Sequence, residues 1–187
     1  MVEIIQIEET RPSSIAERIR GGEVFIYPTD TVYGIGCDAF NKDSVRRIFR
    51  IKQRPRNKPL SVAFCDIDQL LRCVSLSSGQ EALLRKRLPG PYTFIVMNRT
   101  IPKIVTGGLD TIGVRIPDYG LVRRIIREAD TPIVTTSANI SGERAPDSLH
   151  EISCDLLNRV DFVIDAGKCE LGRPSEVIDL TTGRRLR

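Results

Sequence analysis

The chain has no tryptophan, and aromatic residues make up only 5% of its 187 positions. Proteins that grip single-stranded nucleic acid stack bases on aromatic rings, so that mode of binding is poorly supplied. The one histidine, His150, sits in the polar stretch APDSLHEIS. A lone histidine there reads as a surface residue, which argues against a His-dependent triad and against a His-rich metal site; no metal ligand set is expected. The five cysteines, Cys37, Cys65, Cys73, Cys154 and Cys169, are odd in number and show no CxxC spacing. They form neither a disulfide framework nor a zinc site and read as buried, reduced thiols. No GxxxxGK[ST] occurs, so any ATP is not held by a P-loop. No apolar run approaches the roughly 20 residues of a membrane span. The start, MVEIIQIEET, lacks the basic and apolar regions of a signal peptide. The expected compartment is the cytoplasm, with no membrane partner.

What is present is the mixture of a globular protein: 41% hydrophobic and 28% charged residues. No repeat, low-complexity tract or linker divides the chain, so a single domain over 1–187 is expected. A chain of this length buries roughly 70% of its unfolded surface without metal or disulfide staples. The net charge of +4 is mild, but its placement is uneven. Seven basic residues, Arg46, Arg47, Arg50, Lys52, Arg54, Arg56 and Lys58, lie in a window that holds no acid. Such a field concentrates anions, triphosphate and RNA alike, unless it is a solvated helix face.

Short β-branched or aromatic runs alternate with helical patterns. VEIIQI, EVFIYP, LSVAF, YTFIV, GVRIP, PIVTT, DFVID and EVIDL predict strands. PSSIAERIRGG, a segment after Asp43 carrying the basic cluster, DIDQLLRC, QEALLRKRL, YGLVRRIIREA and DSLHEISCDLL predict helices. The alternation defines an α/β fold with flanking helices. Several connections are too short for parallel crossovers, so the twisted sheet is expected to mix parallel and antiparallel pairs.

Three segments carry polar groups suited to chemistry. In Pro28-Thr29-Asp30-Thr31-Val32-Tyr33-Gly34-Ile35-Gly36, proline and two glycines predict a tight turn that presents two threonines and an aspartate. Gly34, Gly36 and Ala39 fit the dinucleotide pattern GxGxxA, but the region about 20 positions later, where an acid should hold the ribose, is basic. Ile51-Lys52-Gln53-Arg54-Pro55-Arg56-Asn57-Lys58-Pro59-Leu60 is stiffened by two prolines and displays cations suited to phosphate. Thr135-Thr136-Ser137-Ala138-Asn139-Ile140-Ser141-Gly142 is either a plain Ser-rich turn or a phosphate cradle. Leu88-Pro89-Gly90-Pro91-Tyr92-Thr93 is a rigid turn into a strand. In Thr111-Ile112-Gly113-Val114-Arg115-Ile116-Pro117, Arg115 stands alone in an apolar strand and requires either a carboxylate partner or an anionic ligand.

Taken together, PTDTVYGIGCDA (28–39), IKQRPRNKPL (51–60), LPGPYTFIV (88–96), TIGVRIP (111–117), TTSANISG (135–142) and PSEVIDL (174–180) resemble the YrdC-like family of threonylcarbamoyl-adenylate synthases. Lys52/Arg54 with Ser137/Asn139 match the family's signature pair. The resemblance implies a twisted α/β sheet around a positively charged cavity. It implies a nucleotidyltransferase that makes threonylcarbamoyl-AMP and pyrophosphate from L-threonine, bicarbonate or CO2, and ATP, with Mg2+ assisting. A downstream threonylcarbamoyl-transferase complex would then modify adenosine 37 of tRNA, and tRNA is a partner to test.

The resemblance also implies roles. Lys52 and Arg54 are the catalytic pair. Arg54, Lys58, Thr111, Ser137, Asn139 and Arg187 face ATP. Thr31, Arg115, Thr135 and Ser175 face threonine, with Arg115 pairing its carboxylate. The chain departs from the family at Ala63, where several members have histidine, at Ala145 in place of a common serine, and at Glu176, which adds a negative charge unless it points to the other face. The rival reading is a non-catalytic double-stranded RNA or tRNA-binding module using 46–58 with Arg123, Arg124 and Arg127. A third is a carbamoyl-transfer domain of the hydrogenase-maturation kind.

Overall fold

The structure, a computed structural model, describes residues 2–187. In chain order the elements are β1 (Glu3–Gln6), α1 (Pro12–Arg20), β2 (Phe25–Tyr27), β3 (Gly34–Gly36), α2 (Lys42–Ile51), β4 (Ser61–Ala63), α3 (Ile67–Leu71), β5 (Val74–Ser75), α4 (Ser78–Arg87), β6 (Tyr92–Asn98), α5 (Lys103–Thr106), β7 (Thr111–Arg115), α6 (Gly120–Ala129), β8 (Ile133–Ser137), α7 (Cys154–Leu157), β9 (Phe162–Asp165), β10 (Glu176–Asp179) and β11 (Arg184–Arg185). The strands join in the order β1-β9-β2-β3-β8-β4-β7-β6-β10-β11, with β5 added to β6. The sheet is mixed: β1–β9, β9–β2, β4–β7 and β6–β10 are parallel, and the remaining pairs are antiparallel.

Strand periodicity divides the apolar residues between two faces. Phe25, Tyr27, Ala63, Ile133, Phe162 and Ile164 join one cluster, under α1 and α6. Their neighbours Ile26, Val62, Val134 and Val163 join the other, with Val45, Ile48 and Phe49 of α2. Helix α1 begins with Pro12, where a missing N–H costs nothing, and buries Ile15, Ala16 and Ile19. Helix α6 answers with Val122, Ile125, Ile126 and Ala129. Asn41 caps α2 by accepting from the N–H groups of Asp43 and Ser44, both at 3.1 Å.

On the α1–α6 face the apolar rows give way to small polar residues. Ala63 lies opposite Arg115 on one side and Ile133 on the other; one step along, Ser61 lies between Gly113 and Thr135. This change from apolar to polar rows forms the floor of the site.

Three expectations are corrected. Gly34 and Gly36 lie in a strand, not a tight turn, and neither has positive φ. A Cβ on Gly36 would stand 2.6 Å from the Val134 carbonyl oxygen and 3.0 Å from Tyr27 Cε1, and one on Gly34 would stand 3.1 Å from Tyr27 Cζ. These glycines admit the Tyr27 ring rather than a pyrophosphate. The segment 147–157 is not one helix: a 3-10 turn at Leu149–Glu151 precedes α7, because the Ser153 side chain accepts from the Leu156 N–H and starts a new helix. Finally, all five cysteines are free, but Cys154 is exposed while the other four are buried.

Candidate active-site cavity

A cavity of about 270 Å3 opens above the polar floor. Thr29, Thr31, Arg54, Arg115, Thr135, Ser137, Ser175 and Arg187 contribute side chains to its wall, and no Asp or Glu among the described residues lines it. All of these but Thr29 were expected from the resemblance to sit beside a substrate, and the fold brings them together from six separate stretches of chain.

At one end stands Arg115, only 6% exposed. Its Nη2 donates to Asp30 Oδ1 at 2.7 Å and its Nη1 to Thr31 Oγ1 at 3.2 Å. The two readings of this arginine are therefore not exclusive, since it has a buried carboxylate partner and still faces the cavity. Its Nε is buried without a partner, as is Asp30 Oδ2. A guanidinium has five N–H groups; with Nε buried and one N–H of each terminal nitrogen spent, one on Nη1 and one on Nη2 remain for a carboxylate ligand. Asp30 is 5% exposed. Burial raises its pKa, and the adjacent Arg115 opposes that rise.

Thr29 Oγ1 donates to the Val32 carbonyl at 2.7 Å, accepts from the N–H groups of Thr31 and Val32 at 3.1 and 3.2 Å, and lies 2.9 Å from Thr31 Oγ1, a contact across which either hydroxyl can donate. Thr31 accepts from Arg115 and faces the cavity. Thr135 has a defined polarity. Tyr27, fully buried, donates its phenolic proton to Thr135 Oγ1 at 2.8 Å. That leaves the Thr135 proton free for an oxygen in the cavity. Burial pushes the Tyr27 pKa up to about 12, which keeps it a donor. Thr93 and Ser175 share a buried hydroxyl contact of 2.8 Å, with one proton left over. Gly113 leaves room between them and Ser61: a Cβ there would stand 2.7 Å from Ser61 Oγ and 3.3 Å from Thr93 Cγ2.

At the other end, Arg54 donates from Nε to the Lys58 carbonyl at 3.3 Å and from Nη2 to the Pro59 carbonyl at 2.8 Å. Arg187 donates from Nε to the Ser175 carbonyl at 3.0 Å. Among the described residues neither has a carboxylate partner, and burial lowers the pKa of both. An incoming anion would relieve that cost.

The other expected residues stand outside the lining. Lys52 is buried, with its amine on the carbonyls of Ser137 and Asn139. The Asn139 side chain donates to the carbonyls of Ile140 and Glu143, both at 2.8 Å. Lys58 is exposed. Thr111 shares a face of β7 with Gly113 and Arg115 but lies beyond the cavity. Glu176 turns to the opposite face from its lining neighbours Ser175 and Val177, and meets Arg185 at 3.0 Å. Ala63 is fully buried under α1 and α6.

Sequence reasoning did not single out Tyr27, Thr93, Ser61 or Gly113 as site residues. Thr29 and Asp30 lay within a quoted motif but received no role. The basic window is not one surface: Arg47 makes a two-pronged pair with Asp161 at 2.8 and 3.0 Å. The α6 arginines are also engaged, with Arg123 on the Cys65 carbonyl at 3.0 Å, Arg124 on Glu128 at 3.1 Å and Arg127 on Asp66 at 3.4 Å. Among the described residues no group of three His, Cys, Asp or Glu side chains is placed to hold a metal ion. Nor, among the described residues, is any helix long and apolar enough to cross a membrane.

Fold and cavity together define a class: a mixed α/β sheet protein whose strand ends and loops enclose a polar, arginine-lined pocket without side-chain carboxylates. Residues 17–187 match the Sua5/YciO/YrdC family, described as telomere recombination, and the chain belongs to that family. It is similar to the threonylcarbamoyl-AMP synthase of Pyrococcus abyssi, with 36% identity over 178 residues, 94% of this chain and 52% of that protein. A Methanocaldococcus jannaschii relative is 37% identical over 185 residues, 96% of this chain and 87% of its own length. The crystal structure of P. abyssi Sua5 complexed with L-threonine superposes with a TM-score of 0.89 at 34% identity, covering 97% of this chain and 54% of that one. The chain thus spans about half the length of the P. abyssi relative.

Proposed function

We propose that this chain is an L-threonylcarbamoyladenylate synthase, a nucleotidyltransferase that forms threonylcarbamoyl-AMP and pyrophosphate from L-threonine, bicarbonate or CO2, and ATP. The product would serve threonylcarbamoylation of adenosine 37 in tRNA by a separate transferase complex. One observation carries the reading: a single cavity with a carboxylate-ready Arg115 at one end and the carboxylate-free Arg54 and Arg187 at the other.

Arg115, held by Asp30 and Thr31, presents its spare N–H groups to the threonine carboxylate. The Thr31 hydroxyl suits a polar group of the amino acid or of the carbamate made from it. The protons of Thr135 and of the Thr93–Ser175 pair suit oxygens. A site that pairs the threonine hydroxyl would reject valine strongly, because the missing partner leaves buried polar groups unpaired. Arg54 and Arg187 offset charge on the triphosphate while the carbamate oxygen meets the α-phosphorus. The carbamate survives only where water is excluded, which the walls of the cavity favour. The chemistry needs no protein nucleophile, so positioning and charge neutralisation supply the catalysis. Magnesium would arrive on the phosphate oxygens of the nucleotide, as is usual for this ion.

The test is pyrophosphate release from ATP and bicarbonate with and without L-threonine. Threonine-dependent release supports the synthase. Tight, salt-sensitive RNA binding without release favours the RNA module, and dependence on carbamoyl phosphate favours the third reading.

A further inference from the structure

Lys52 has an unexpected destination. Its side chain is 1% exposed and does not line the cavity, although Ser137, whose carbonyl it holds, does. Its Nζ also donates to the Asn139 carbonyl at 2.7 Å. The chain is stitched in the reverse sense as well, with the Ser141 N–H donating to the Lys52 carbonyl at 2.9 Å. Lys52 caps the end of α2, its own N–H bonded to the Ile48 carbonyl. Gln53 then adopts φ of 49°, in the left-handed region, and the turn carries Arg54 into the cavity wall. One short stretch therefore feeds two walls, one through a guanidinium and one through a buried amine.

We propose that Lys52 is a positioning residue, which sets the 137–141 wall of the nucleotide end by gripping two of its carbonyls and touches no phosphate itself. This role in turnover rests on the synthase reading. An amine suits the task because its N–H groups diverge as a tripod and reach two carbonyls that converge on one point. Burial, with Arg54 adding to it, lowers the Lys52 pKa to about 7, while Glu143 opposes the change. The neutral amine still has two N–H groups, so the grip survives deprotonation.

Two readouts decide the matter. In the unliganded protein, amide exchange at Asn139 and Ser141 should speed up at least tenfold in Lys52→Met, with α2 protection intact, and should not change in Arg54→Met. Wild-type exchange in Lys52→Met would overturn the proposal. In turnover, Lys52→Met should raise the KM for ATP while keeping the wild-type dependence of that KM on salt, whereas Arg54→Met should flatten it. Equal flattening by both variants would mean that Lys52 neutralises phosphate directly, which also overturns the proposal. If Lys52→Met does not fold, Lys52→Gln decides. It keeps N–H donors without charge, so it should retain partial loop protection and the wild-type salt dependence; a flattened dependence rejects the grip. Failure of wild-type turnover would remove the synthase reading, but the exchange measurement would still report on the grip.

Discussion

Replacing Arg115 with methionine should separate its two duties. The Asp30–Arg115 contact of 2.7 Å is buried, with side-chain exposures of 5% and 8%. Asp30 Oδ2 already lacks a partner. Removing the guanidinium leaves an uncompensated carboxylate in the interior, and breaking such a pair costs about 3–5 kcal/mol. For a chain of this size that is a fall in Tm of about 6–20 °C. Asp30→Asn/Arg115→Met removes both charges and should recover much of the loss, although neither variant should bind threonine well. The pH dependence has a definite sign. Burial raises the Asp30 pKa and Arg115 partly restrains it. Without Arg115 the pKa climbs further. A carboxyl whose folded pKa is raised contributes stability that is present below its unfolded pKa and lost as pH rises through the folded value. The Arg115→Met deficit should therefore shrink as pH falls. Urea denaturation of both variants at several pH values measures this. A deficit below about 1 kcal/mol, or a double variant no more stable than Arg115→Met, would refute the reasoning.

The glycines make a second, paired prediction. Gly36→Ala forces a Cβ to within 2.6 Å of a fixed carbonyl oxygen, so it should lower stability by about 1–3 kcal/mol. Gly113→Ala meets the Ser61 hydroxyl, which can rotate, so it should unfold at a similar urea concentration but raise the KM for threonine; the opposite assignment would displace Gly113 from the floor. Lys52 should make stability pH-dependent. Its pKa is depressed from 10.5 to about 7, so the charged form is penalised on folding. Relative to Lys52→Met, the wild type should lose up to about 1.4 kcal/mol per unit as pH falls from 10.5 toward 7; a flat difference in urea midpoints would mean that the amine is solvated. Tyr27→Phe frees the Thr135 proton to turn away, and should weaken threonine several-fold with ATP affinity unchanged; equal losses for both ligands would show that the ring, not the hydroxyl, is what matters.

Much of the fold was legible because its signals are local. The β-branched and aromatic runs FIY and FVID became β2 and β9, whereas the helix starts moved: the serines expected to cap α1 lie inside a helix that begins at Pro12, and α2 is capped by Asn41, ahead of Asp43. The break in 147–157 was hidden because an apolar pattern at helical spacing does not reveal that Ser153 will cap a new turn. The site was legible only as motifs. Which side chains meet depends on sheet register, as with Ser61 between Gly113 and Thr135. Charge placement misled for the same reason: Arg47 is taken by Asp161, 114 residues away, and Lys52 by carbonyls 85 and 87 residues away. Tyr27 read as a strand aromatic, and nothing in the order of residues signals that its hydroxyl orients Thr135.

The central claim is that nucleotide and amino acid occupy one cavity, side by side. The most direct measurement is an interligand nuclear Overhauser effect between ATP and L-threonine bound together without bicarbonate. Cross-peaks between the threonine methyl and the nucleotide, lost in both Arg54→Met and Arg115→Met, are the expected result. Simultaneous binding of both ligands with no cross-peak would place them in separate sites and contradict it.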